Sequence, residues 1–235
     1  MRTTPPSPHT PRAVLLSTDL SCRCDRALDR AVLSAKGWQA RLVALTVVEP
    51  TAASRLDMGH AAWHQARQAA QHIAERRLHA DMARQDMPVA VRVEQGQVTD
   101  KLLEVAAQEA VGLVVTGVAR NEPQSRAVLG SAVDALVRRS LVPVLVVRER
   151  AWEPYTRVVV ATDFSPDARH ALVKAAHWYP QAELVLFHAH GAPYSLRAVM
   201  DPMQAQLAGF QQARQEAEAF LQDAGLPDDI RNRVR

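Results

Sequence analysis

The sequence predicts an α/β fold: a Rossmann-like open parallel sheet of strand order 3-2-1-4-5 with helices on both faces, plus a partial second copy. Three observations predict it. Over residues 12–148, short Val/Leu-rich runs alternate with helix-length segments, the pattern of a parallel sheet buried on both sides. The run Arg12-Ala-Val-Leu-Leu-Ser-Thr18-Asp19-Leu-Ser21 returns as Thr156-Arg-Val-Val-Val-Ala-Thr162-Asp163-Phe-Ser165, which is self-similarity at domain scale. Finally, the stretch from Gly117 to Gly130-Ser131 leads from a strand into a helix, and unpartnered backbone N–H groups at such a junction favour a bound anion.

Residues 1–11 are rich in Pro and Thr and read as a disordered tail, without the apolar centre of a secretory signal. The first domain spans 12–148, with strands predicted near 12–18, 40–48, 88–94, 112–117 and 143–148. Helices are predicted near 22–36, 58–85, 99–110 and 131–140. Ser21 reads as the N-cap of the first and Gly37 as its stop. The second carries Arg67, Arg76, Arg77 and Arg84 among Ala and Gln, a solvated face rather than a nucleic-acid grip. Thr99 reads as the cap of the third, whose Leu102, Leu103, Val105 and Ala106 group on one side, and Ser131 opens the fourth.

A polar linker, 149–155, contains Pro154 and leads to the partial second domain, 156–235. There a strand at 157–162 is followed by a helix opened by Ser165-Pro166, where proline's missing N–H costs nothing. A strand at 183–188 and a long helix near 201–224 follow, the helix ended by Gly225-Leu-Pro227. Asp229 to Arg235 reads as the opening of a third strand. This copy has no counterpart of the last two strands or of the glycine run. It is therefore expected to belong to a longer tandem protein or to be completed by another chain, because bare strand edges invite aggregation.

With 48% hydrophobic and 23% charged residues in 235, the chain has material for an ordinary globular core. Its net charge of +3 is carried by scattered arginines, with lysine only at 36, 101 and 174, which argues against a nucleic-acid partner. No apolar run nears the roughly twenty residues that span a bilayer, so no membrane partner and a cytoplasmic location are expected. Cys22 and Cys24 are too few for a zinc site and read as reduced thiols in a loop. His60 with His64, and His188 with His190, bring neither a third ligand nor a zinc-hydrolase glutamate, so no metal site is assigned. No nucleophile with its base, carboxylate dyad or phosphate-loop lysine has suitable spacing, so no catalytic residue is assigned.

The Thr18-Asp19-Leu-Ser21 strand end resembles that of the universal stress protein family. So does Gly117, two residues, Arg120, nine residues, then Gly130-Ser131, except that the family's nucleotide-binding branch has Gly where Arg120 stands. The Pro143-Val-Leu-Val-Val147 strand resembles the family's last one. The resemblance implies an ATP-binding, stress-response or regulatory protein. Asp19 would contact the adenosine part, Val47 would offer backbone groups to the adenine edge, and Gly117, Gly130 and Ser131 would hold the phosphates. Arg120 either fills phosphate space or pairs with phosphate oxygens through its guanidinium fork.

The ligand implied is ATP or a related adenine nucleotide, with Mg2+ as its companion ion. The resemblance also implies a homodimer through the strand near 143–148, an apolar edge that is stable mainly when paired. Two alternatives stand beside this reading: a nucleotide-independent dimeric scaffold of the same fold, and a slow nucleotide hydrolase. Asp19 has a structural role open to it too, as a helix cap or as partner of a loop N–H.

Overall fold

The structure, a computed structural model, describes residues 9–22, 24–49, 60–118, 131–190 and 201–235. Two compact units divide the chain, one covering Thr10–Pro154 and the other Tyr155–Arg235. The first unit runs β1 (Ala13–Ser17), α1 (Asp25–Trp38), β2 (Arg41–Val48), α2 (His60–Met82), β3 (Val89–Gln95), α3 (Val98–Gln108), β4 (Leu113–Gly117), α4 (Ser131–Arg139) and β5 (Val144–Val147). Its strands form one parallel sheet in the order β3-β2-β1-β4-β5, the order the sequence predicts.

Alternation along the central strands divides the core into two halves. Leu15, Val43 and Leu45 are buried on one face with Leu102, Val105 and Ala106 of α3 and Leu136 of α4. Val14, Leu16, Leu42 and Ala44 are fully buried on the other face. There the sheet is covered by α1 and α2. Each fully buried Leu or Val is worth about 1.5–3 kcal/mol relative to exposure, so both faces are needed to hold β1 and β2.

Three helix ends differ from the sequence reading. Ser21 is not the cap of α1: the chain first makes a turn in which Cys24 N–H donates to Ser21 O at 2.9 Å, and the helix starts at Asp25. In the second unit proline at 166 fixes φ directly after the serine and starts the helix at once; the equivalent residue here is Cys22, which imposes no such start. Gly37 does not stop α1 either, because the left-handed closing position falls on Gln39, at φ 54°. Thr99 is 1% exposed inside α3, and the cap is Gln97, whose side chain accepts Asp100 N–H at 3.2 Å.

Gln39 is exposed and carries the strain of a left-handed backbone on a residue with a Cβ. Gln39→Gly is therefore expected to raise unfolding stability by about 1 kcal/mol. Urea denaturation followed by the fluorescence of buried Trp38 checks this; an unchanged or lower midpoint contradicts it.

The second unit runs β6 (Arg157–Ala161), α5 (Pro166–Trp178), β7 (Glu183–Phe187), α6 (Pro202–Asp223) and α7 (Asp228–Arg231). β6 and β7 pair in parallel, and Ser165 caps α5 by accepting Ala168 N–H at 3.2 Å. The predicted third strand is present only as its final step. Asp228 and Asp229, following Pro227, suit the first turn of a helix and form α7, after which Val234 bridges Leu184 in parallel. Val160, Leu172, Ala176, Leu184 and Phe220 make this unit's core. On its opposite sheet face Val159 and Phe187 are 59% and 56% exposed, whereas the equivalent Leu15 and Leu45 of the first unit lie under α3 and α4.

Candidate functional site

Thr18 and Asp19 stand where β1 ends. Thr18 N–H donates to Leu45 O at 3.0 Å and Thr46 Oγ1 donates to Thr18 O at 2.6 Å, which pins the strand end to β2. The chain then turns sharply at Leu20, at φ 60°, with Leu20 N–H on Thr18 Oγ1 at 3.0 Å. Asp19 Oδ1 accepts Ser21 N–H at 2.9 Å and the Cys24 thiol at 3.1 Å. The partner role for a loop N–H is therefore present in the structure.

Register carries Asp19 and Gly117 to the same edge of the sheet. Ser17 pairs with Thr116, and β1 and β4 are neighbours, so both residues leave adjacent strands at their carboxyl ends. This is also where the strand order reverses, the usual ligand position of open α/β sheets. Gly117 is buried, and α4 begins at Ser131 beyond it. Arg120 and Gly130 lie outside the described residues, as does the side chain of Ser131.

Val47 sits one strand away, and the backbone bonds around it fix its direction. Leu45 O accepts from Thr18 on the β1 side and Val48 O accepts from Gly96 on the β3 side, at 3.0 and 3.2 Å. Backbone groups of successive strand residues alternate between sides, so the N–H and C=O of Val47 point toward β1's side. The β1 register ends at Leu45, two residues earlier, so these groups face the space beyond the end of β1.

The second unit repeats the backbone N–H hydrogen bonds of the turn. Thr162 N–H donates to Phe187 O at 2.9 Å, Phe164 N–H to Thr162 Oγ1 at 2.8 Å, and Ser165 N–H to Asp163 Oδ1 at 3.0 Å. The Ser165 side chain first, and this backbone bond after it, hold the Asp163 carboxyl below its ordinary range. His188 replaces Thr46, and its Nδ1 donates to Thr162 O at 2.7 Å. Phe164 holds the left-handed position at φ 64° and lies against both His188 and Phe220.

Sequence reasoning passed over Thr46 and Cys24 as site residues. The equivalence of Thr46 and His188 in the repeat was a usable signal for the first. Nothing in the spacing marked the second.

A cavity of about 540 Å³ opens on the α1/α2 side and is lined by Leu16, Leu28, Leu78, Arg77 and Arg150 among others. It is not the crevice described above: it shares Thr18, Leu20, Ser21, Cys22 and Cys24 with the Asp19 turn but includes no residue of β4 or α4. Among the described residues no three His, Cys, Asp or Glu side chains are grouped to hold a metal ion. His64 lies against Trp63 and His190 near Phe210. Arg67 is less solvated than its sequence context suggests, since its guanidinium lies 4.5 Å from the Trp63 ring centre. No helix among the described residues is long and apolar enough to cross a membrane.

The model of the universal stress protein family matches residues 11–148, more than half of the chain. The chain belongs to the universal stress protein family. Among similar solved structures, a Pseudomonas aeruginosa UCBPP-PA14 protein assigned to the universal stress proteins is 18% identical and covers 97% of this chain and 74% of its own, with a TM-score of 0.57. UspA from Lactobacillus plantarum is 24% identical over 60% of this chain and 99% of its own, with a TM-score of 0.48. A universal stress protein in complex with cAMP is 26% identical over 59% of this chain and 97% of its own, with a TM-score of 0.43. No curated protein sequence matches the chain significantly. The fold likeness to the Pseudomonas protein extends through both units.

Proposed function

We propose that the first unit is a regulatory, stress-response module that binds ATP or a related adenine nucleotide at the carboxyl edge of β1, β2 and β4. One observation carries the reading: the backbone N–H and C=O of Val47 are aimed into the space past β1, beside the turn that carries Asp19. A donor and an acceptor on one strand residue suit the edge of adenine, and a carboxylate suits the hydroxyls of its ribose. Gly117 and Ser131 bound the stretch expected to hold phosphates, with the N-terminus of α4 as its electrostatic support. Arg120 enters as a charge-assisted partner of phosphate oxygens.

Magnesium accompanies ATP through the phosphates, since the described residues supply no carboxylate cluster for it. Titration calorimetry of the full chain with ATP and magnesium is expected to give saturable heat at one site per chain. cAMP serves as a second titrant that keeps the base and ribose and drops the polyphosphate. Absence of heat with both overturns the reading and leaves the nucleotide-independent scaffold.

Self-association through β5 is the second part of the proposal. β5 is the outer strand of its sheet, flanked by Val137 and Leu141 with 46% and 102% exposure. Val114 N–H donates to Pro143 O, so the odd-numbered residues of β5 face β4 and the N–H of Val146 faces outward. Val146→Pro removes an outward donor and leaves the β4 ladder whole. Light scattering is expected to show a dimer for the parent chain and a monomer for this variant; a parent chain that stays monomeric at all concentrations contradicts it.

A further inference from the structure

The carboxylate of Asp19 is held by a thiol. Cys24 S–H donates to Asp19 Oδ1 at 3.1 Å, and Asp19 N–H donates back to Cys24 Sγ at 3.5 Å, closing a ring across the turn between β1 and α1. The later start of α1 makes this contact. Because Cys24 N–H closes a turn onto Ser21 O before the helix begins, Cys24 stands at the N-cap of α1 without capping it, and its side chain is directed to Asp19 instead.

The second unit is an internal control. Its Asp163 receives the same backbone bond, from Ser165 N–H, but Ala168 stands at the place of Cys24 and donates only its backbone N–H, to Ser165 Oγ. The repeat therefore keeps the turn without the thiol, so the thiol is not required to build it.

Resting on the nucleotide reading above, we propose that Cys24 is a positioning residue for nucleotide recognition: its reciprocal bonds with Asp19 fix the carboxylate in the orientation that meets the adenosine part. A protonated thiol is the form this role needs, because an ionised carboxylate only accepts. Burial, together with hydrogen bonding and charge repulsion from Asp19, raises the thiol above its ordinary value and keeps the proton in place. Cys24 need not touch the nucleotide.

The test compares the full-length parent chain with Cys24→Ala and Cys24→Ser by calorimetry, using ATP and, as a probe without adenosine, inorganic tripolyphosphate. Because a thiol is a weak donor, loss of its one hydrogen bond predicts that Cys24→Ala weakens ATP binding about three- to tenfold. Serine retains a donor at the same atom and is expected to restore affinity to within about twofold. Tripolyphosphate binding stays equal in all three chains, because Asp19 serves the adenosine end.

Equal ATP affinity in the parent chain and Cys24→Ala overturns the positioning role alone. So does a loss shared by tripolyphosphate, or one that serine does not repair, since either marks a general effect on the turn. Absence of ATP binding in the parent chain instead sinks the nucleotide reading, and this role with it.

Discussion

Gly130→Asp is expected to weaken ATP binding on the order of a hundredfold while leaving the fold intact. Gly130 immediately precedes α4, whose first residue is Ser131. The first four N–H groups of a helix have no partner within it, and the macrodipole adds about half a positive charge there. A carboxylate at that end competes for the same donors as a phosphate. Two unit charges 4 Å apart repel by about 4 kcal/mol at an effective dielectric constant of 20, and about 2.7 kcal/mol already corresponds to a hundredfold in affinity. The same charge favours the helix by about 0.3–1 kcal/mol, so the effects on binding and on stability have opposite signs.

Calorimetry with ATP and a thermal melt of the same preparation separate the two. Undiminished ATP affinity would place the phosphates away from α4. A collapsed melt would show that the glycine is required by the backbone rather than by the ligand.

The strands of the first unit were legible because burial on both faces forces apolar runs of strand length, while their order came from the fold class rather than from the runs. Leu42 to Val48 and Leu113 to Gly117 are such runs, and helix-length segments of different composition separate them. The second unit's strands were legible through the repeat, since Thr162-Asp163-Phe-Ser165 reproduces the Thr-Asp-apolar-Ser pattern and the hydrogen bonds of Thr18-Asp19-Leu-Ser21.

Helix ends were harder to read because several residues compete for each cap. Ser21 and Ser165 occupy equivalent positions, yet only the one followed by proline caps its helix. At α3 the neighbouring Gln97 took the role assigned to Thr99, and the threonine went inside. Cys24 was illegible for a related reason: five residues separate it from Asp19, and only the extra turn before α1 brings the thiol back to the carboxylate. The glycine spacing around Arg120 was plain in the sequence, but Arg120 and Gly130 lie outside the described residues, and their place at the site remains part of the proposal.

Val47→Pro is expected to remove most of the affinity for ATP while sparing tripolyphosphate and costing the fold about 1 kcal/mol or less. In the middle of a sheet proline ordinarily removes a ladder bond. Val47 escapes that cost because its N–H points to the β1 side, past Leu45, where the β1 register has ended. Its side chain is half-buried against the α3/α4 core, and the proline ring replaces much of that apolar volume. Thr46, which precedes it, is already extended, as a residue before proline prefers.

The donor lost is the one proposed for the adenine edge. A ligand group left facing no donor in a desolvated crevice loses about 1–3 kcal/mol, roughly five- to a hundred-and-fifty-fold in affinity. Tripolyphosphate has no base, so its binding should not change. If Val47→Pro binds ATP as the parent chain does, the base lies elsewhere. If it loses both ligands together, the substitution has disturbed the sheet edge as a whole, and the assignment of Val47 to the base fails with it.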